Sequence, residues 1–428
     1  MPNYWSSKLF SVGFASQTAY DAEDAVPSYT WLLAEMPSIS FARDVETLDL
    51  GLPSDGVAPQ TVAGSKHGGT FTLSMPLRGQ ASGYDATGAI AVNPEMTLLA
   101  DLVGGSQTVA PQADFVAASG DNDANTVEAQ VGKSSVAGAF HAIGNASTKA
   151  ASLVGYVQTV AGQVYTTFED STIAPAATDD DLFGSYTVYP AGNQPTARSF
   201  KIVGKEATQG IVLMGCIPEN GSISLENGKV PMLEITYRFT DYKYDSTSEG
   251  LQTATAYTRL PPVLGSKKGR VLLGGGVKES GAGSAQTGTV NTEGTCGIGS
   301  FKVDIACEVY EIPCHGAQQG VSSVFIGKRN ITASFTVPHQ DAYVTDGGDS
   351  KFGESLADQK AWSISLMLGS TAGQIFSILI PAGVVTAQPD MGDVDGIQAF
   401  TLEFQPVDYT GDSSSANSGD SPFRIGFA

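Results

Sequence analysis

The chain has 428 residues, with Lys+Arg 23 against Asp+Glu 44 and a formal net charge of -21. That excess of acid argues against a protein that grips nucleic acid, because grip comes from cations that displace counterions from phosphates. It leaves open plain solubility and a surface that nucleic acid passes without sticking. With Gly 50, Pro 21 and 16% charged residues, the composition favours turns and short strands over long helices. At roughly 100–200 residues per domain, two or three domains are expected.

Residues 1–37, punctuated by Pro27 and Pro37, read as an extended N-terminal arm, either lying on a neighbouring subunit or forming a poorly ordered terminus. The opening MPNYWSSKLF lacks the pattern of a secretory signal, and no stretch reaches the roughly 18 apolar residues of a membrane span. A soluble, unsecreted protein made in a cytoplasm, with no membrane partner, is expected. From Ser38 strand signals begin, with Ile39, Phe41, Val45, Leu48 and Leu50 set among polar residues. Phe71, Leu73, Met75 and Leu77 alternate with a polar face, the period-2 pattern of a half-buried strand. A helix is predicted next. Asn93 suits the cap, Pro94 the first position and Glu95 the positive end. Met96, Leu98, Leu99, Leu102 and Val103 form its apolar stripe, and Gly104-Gly105 stops it. Residues 106–185 are rich in Ala, Gly, Ser, Thr and Asp with weak periodicity. They read as an insertion of short strands on an exposed face.

Strands return at Ala197–Val203, Gly210–Ile217, Ser222–Leu225 and Leu233–Phe239. Residues 246–300 are Gly/Ser/Thr-rich and read as a linker. Phe301, Val303, Ile305 and Cys307 then alternate, and Val321–Phe335 is a matching partner for a long hairpin. Trp362, Ile364, Leu366 and Leu368 alternate again, and Ile375–Ile380 and Phe400–Phe404 complete a sheet. A short helix is placed at Phe352–Asp358. The tail Thr410–Ser421 reads as loose until Phe423–Phe427.

Recognisable chemistry is missing from these elements. The Gly-rich stretches lack the phosphate-loop form. Asp121-Asn122-Asp123-Ala124-Asn125 has Thr126 where a calcium loop needs its glycine, and Asp393-Val394-Asp395-Gly396 has Met391 at the first ligand position, so both read as turns. Asp179-Asp180-Asp181 reads as a solvated turn. Gly265-Ser266-Lys267-Lys268-Gly269-Arg270 reads as a solvated basic loop, with contact to an acidic neighbour or DNA as the other option. His67, His141, His315 and His339 are scattered, and no nucleophile elbow occurs. Cys216, Cys296, Cys307 and Cys314 show no metal spacing and read as reduced thiols, with a Cys307–Cys314 bridge as the minor alternative. No residue is assigned a catalytic, cofactor-binding or metal-binding role, and no enzyme activity or cofactor is expected.

The same strand-turn-strand pattern occurs twice. One copy has Gly64-Ser65-Lys66-His67 and Phe71-Thr72-Leu73, Gly210–Pro218, then Leu233-Glu234 and Asp241-Tyr242. The other has Gly327-Lys328-Arg329-Asn330-Ile331-Thr332-Ala333-Ser334-Phe335, Gly373–Pro381, then Leu402-Glu403 and Asp408-Tyr409. A repeat without catalytic chemistry points to a building block. Through Gly327–Phe335, Gln374–Pro381 and Leu402–Tyr409 in the second unit, and Val62–Lys66, the Pro94–Val103 helix and Asn220–Phe239 in the first, the chain resembles the tail tube (major tail) proteins of long-tailed bacteriophages, over some two thirds of its length. The duplicated type of T5-like phages is the nearest form. Residues 106–185 and 246–300 depart from it.

The resemblance implies a mainly β fold: two tandem tube-like β-sandwich or barrel domains, each with a short flanking helix. They would span 38–245, with insertion 106–185, and 301–428. It further implies a homotrimer ring with pseudo-sixfold symmetry, stacked into the virion's tail tube. DNA would cross its lumen without specific binding, helped by surplus acid on the inner strands. Other tail proteins, such as the tape measure and the tail terminator, would be partners. Hairpin Phe301–Phe335 and the loop Asp44–Gly64 are candidate inter-ring contacts. The alternatives are another tail ring component (baseplate or tail-completion protein) and a β-rich glycan-binding or glycan-active protein.

Overall fold

The computed structural model describes residues 10–18, 28–48, 60–84, 89–118, 122, 126–161, 164–167, 180–204, 210–245, 269–275, 300–314, 321–338, 361–387, 390–394, 397–407 and 421–428. The N-terminal half holds β1 (Phe10–Ser16), β2 (Thr30–Leu32), β3 (Ser38–Leu48), β4 (Gln60–Pro76), helix α1 (Pro94–Val103) and β5 (Ser106–Val109). An inserted group follows: β6 (Thr126–Glu128), β7 (Phe140–Asn145), β8 (Ala150–Ala161), β9 (Val164–Thr167) and β10 (Asp181–Leu182). Then come β11 (Ser185–Val188), β12 (Arg198–Gly204), β13 (Gly210–Glu226), β14 (Met232–Phe239) and β15 (Asp241–Asp245). The C-terminal half holds β16 (Gly269–Gly275), β17 (Ser300–Pro313), β18 (Val321–Pro338), β19 (Ala361–Leu368), β20 (Phe376–Val385), β21 (Asp390–Val394), β22 (Ile397–Pro406) and β23 (Arg424–Phe427).

The protein is mainly β, and the described pairings are antiparallel. The spine of the large sheet runs β3–β4–β14–β13–β17–β18–β22–β21. The predicted alternation holds: Phe71, Leu73, Met75 and Leu77 are buried, as are Phe301, Val303, Ile305 and Cys307. Hairpin β17–β18 forms as expected. One apolar cluster spans both halves, from Phe71 and Leu233 to Phe301 and Phe404. No closed barrel is formed among the described residues.

Residues 210–226, expected as two strands, form one. A bulge between Pro218 and Asn220 turns β13 so that its two ends find different neighbours. Its N-terminal end lies between β12 and β15, and its C-terminal end between β14 and β17.

The arm reading of residues 1–37 is corrected for two segments. Strand β1 pairs with β12 and β2, and Val12, Phe14 and Leu32 sit in the core. Gly13 is needed there because Trp31 lies across it; an added Cβ would be 2.9 Å from Trp31 Cε3. The linker reading is corrected too: Gly269–Gly275 is a strand paired with β19, so Gly269 and Arg270 are not in a loop, while 265–268 lie outside the described residues.

Helix α1 spans the predicted residues, and Gly104 closes it with φ 106, its N–H donating to Ala100 O. The expected Asn93 cap is absent. Its Nδ2 donates to Gly79 O instead, so the side chain ties the helix start to the chain leaving β4. Glu95 is buried against Arg78, whose Nη2 donates to Oε2 at 2.8 Å and whose Nε bonds Oε1. The second predicted helix, 352–358, lies outside the described residues.

The insertion is more than surface strands. Strands β10, β7, β8, β9 and β6 form their own five-stranded sheet. It encloses a core of Phe115, Val116, Val127, Ile143, Leu153 and Leu182. Its other face packs on the C-terminal half: Phe140, Tyr156 and Phe183 meet Ile375, Leu379 and Ala382. Tyr156 donates its hydroxyl to Ser377 O at 3.1 Å, and Ala151 N donates to Ser370 O at 2.9 Å. This explains the nearly continuous burial of β20. Phe376, Ile378 and Ile380 face one core while Leu379 and Ala382 face the other.

Within the module, Asp180 and Asp181 are buried, not solvated. Asp181 Oδ1 accepts from Asp114 N at 2.7 Å, and Asp180 Oδ2 accepts from Ser152 at 3.0 Å. His141 is buried beside Ser135 and Phe115, and burial pushes its pKa down from 6.5 to about 3. The unfolded chain therefore takes up a proton between those values that the folded one refuses. Stability is full above pH 6.5 and falls as pH drops toward 3, by up to about 1.4 kcal/mol per unit. Urea unfolding at pH 5 should show about 2 kcal/mol less stability than at pH 7 from this residue. His141→Gln should flatten that slope; an unchanged slope would contradict the assignment.

Candidate assembly surface

The two halves share one strand plan. β3, β4, β14 and the C-terminal end of β13 correspond to β17, β18, β22 and β21. β1, β12 and the N-terminal end of β13 correspond to β16, β19 and β20. A common register aligns them. Pro76 lies opposite Met232 and Pro338 opposite Ala399; the same offset places Asp241-Tyr242 on Asp408-Tyr409 in sequence. It also matches Ser38–Ala42 with Lys302–Ala306, and Ser222–Ser224 with Asp390–Gly392.

The halves meet edge to edge. β13 pairs with β17 from Asn220 opposite Ala306 to Glu226 opposite Ser300. Helix α1 rests on both strands of this seam. Gly221 admits the helix: an added Cβ would be 2.5 Å from Leu102 Cδ2. The C-terminal end of α1 is fixed from across the seam. Arg329 Nε donates to Leu102 O at 2.8 Å and Nη2 to Asn193 O at 2.9 Å, a cation on the negative end of the helix. Cys307 Sγ also points to Leu102 O, at 3.7 Å. It is held as a thiol and is not bridged to Cys314. Burial pushes the Cys307 thiol up to about 11 and Cys216 higher still, so neither is a nucleophile at neutral pH.

The sheet face opposite the core is lined mainly by hydroxyls. Thr72 Oγ1 lies 3.0 Å from Thr236 Oγ1, Ser300 Oγ 3.3 Å from Thr336 Oγ1, and Thr336 Oγ1 3.4 Å from Thr401 Oγ1. Glu234, Asp304 and Glu403 stand among them with Lys302 and Arg238. Exposed Glu226 and Glu308 follow the same alternation, so acids outnumber cations on this hydroxyl-rich face.

Two clusters of exposed apolar side chains lie on the spine. At the outer end of β17–β18, Tyr310 stacks on Phe325 at 5.3 Å and covers Gly327, with Ile312 exposed nearby. At the β3 edge, Leu33, Met36 and Phe41 are 43%, 41% and 48% exposed. The β17–β18 end is the hairpin named from sequence; of the loop Asp44–Gly64, residues 49–59 lie outside the described residues. Periodicity alone did not reveal the α1–Arg329 contact or the apolar β3 edge. The spacing of Met36 and Phe41 beside an alternating strand was the available signal.

Among the described residues no group of three or more His, Cys, Asp or Glu could hold a metal ion. No helix among them is long and apolar enough to cross a membrane. No protein-family model matches the chain, and no curated protein matches it.

Proposed function

We propose that this is a structural protein of a phage tail tube, assembling as a ring of three chains that stacks into a channel for DNA. The observation that supports it is the duplicated strand plan joined edge to edge at β13–β17. One chain thus holds two successive segments of a wall, in the form of two tandem tube-like units. A head-to-tail arrangement of like segments closes into a ring when its rotation divides a circle, and three doubled chains make a pseudo-sixfold one. Closure also removes the open sheet edges, which on a lone monomer invite aggregation.

The hydroxyl-lined face fits the inside of such a channel. Neutral hydroxyls with a few carboxylates offer no cation cluster to displace counterions, so DNA would pass without adhering. In this reading the insertion module stands on the outer side, carried once per chain. Negative-stain images of the purified protein test the reading: stacked rings with a central channel are expected, and dispersed solid particles would overturn it. A baseplate or tail-completion ring would share this architecture, and would appear once per virion where a tube protein appears in many rings.

A further inference from the structure

We propose that the β3 edge, Ser38–Ala42 with the exposed Met36 and Phe41 around it, is the docking surface for strand β21 of a second copy of this chain. The inference rests on the ring reading and adds the strands and their register. Among the described residues β3 is paired only with β4, and β21 only with β22. The matching edges inside the chain, on β17 and β13, are paired with each other. Each chain therefore carries one completed seam and the two halves of another.

The apolar side chains supply an independent argument. In the common register Phe41 corresponds to Ile305, which is 1% exposed because it lies at the completed seam under α1. Phe41 is 48% exposed, although it reaches back to Tyr242 at 4.6 Å and Phe239 at 5.9 Å. A large aromatic on an open strand edge is what an unfilled sheet junction leaves behind. Transferring the internal register places Asp390 of one chain opposite Ser40 of the next, Met391 opposite Ile39, and Gly392 opposite Ser38.

Paired cysteines read this register directly. In assembled protein under mild oxidation, S40C/D390C or S38C/G392C should yield covalent trimers on a non-reducing gel, while each single variant stays at the monomer position. Phe41→Asp should cut the ring fraction at least tenfold while the thermal transition of the dispersed chain persists. Rings that form without either cross-link and tolerate Phe41→Asp would overturn this seam and leave the ring reading standing. Absence of rings from the unsubstituted protein would overturn both.

Discussion

Glu95→Ala is expected to lower the unfolding free energy by about 3–5 kcal/mol in urea titrations, because it strips the partner from a guanidinium buried with it. The side chains of Arg78 and Glu95 are 6% and 3% exposed. They join the segment leaving β4 to the first turn of α1, and Asn93 bonds Gly79 O beside them. Losing the carboxylate leaves a cation in a site shaped for a pair. It also removes a negative charge from the positive end of the helix. The double change Arg78→Met with Glu95→Leu should recover most of the loss, since an apolar pair of similar volume avoids the desolvation cost. A single-variant loss under about 1 kcal/mol would mean that water reaches the pair.

Gly426→Val should cost at least about 2–3 kcal/mol and loosen the inserted module from the C-terminal half. Gly426 lies in β23 between β11 and β20, and an added Cβ would stand 2.5 Å from Cδ2 and 2.7 Å from Cβ of Phe140. Phe140 is the module's side chain on this junction, beside Tyr156 at 5.0 Å. The ring has no free space to retreat into, because Ser185 and Thr187 bond the backbone of Phe140 at 2.5 Å and 2.8 Å. Displacement would bare Ile375, Leu379 and Ala382. The variant should therefore bind an apolar dye that the parent does not, and Gly426→Ala should show a smaller effect in the same direction. Unchanged dye binding and stability would contradict the docking described.

Strands with one wet face are legible in the sequence, because period-2 alternation is a local signal. Phe71–Leu77 and Phe301–Cys307 follow it closely. β1 carries the same signal in Phe10, Val12 and Phe14, but Gly13 and the flanking polar residues disguised it as an arm. β16 was hidden by composition: Val271-Leu272-Leu273 sits between glycines in a Gly-rich stretch. The insertion escaped because its core uses small residues such as Ala129, Ala139 and Ala142, which barely register as a stripe. The Asn93 cap failed because Gly79 O, a tertiary partner, competes for the same side chain. The repeat was legible as sequence. The seam it creates was not, since which edge meets which is a property of the register and not of either strand alone.

Whether three doubled chains close the wall is decided by the mass of one isolated ring, measured by native mass spectrometry alongside class averages of its end view. Three times the 44.3 kDa chain mass and an end view with six lobes around an open channel are expected. A ring of six chains, or a chain that stays monomeric at every concentration tried, would contradict that closure.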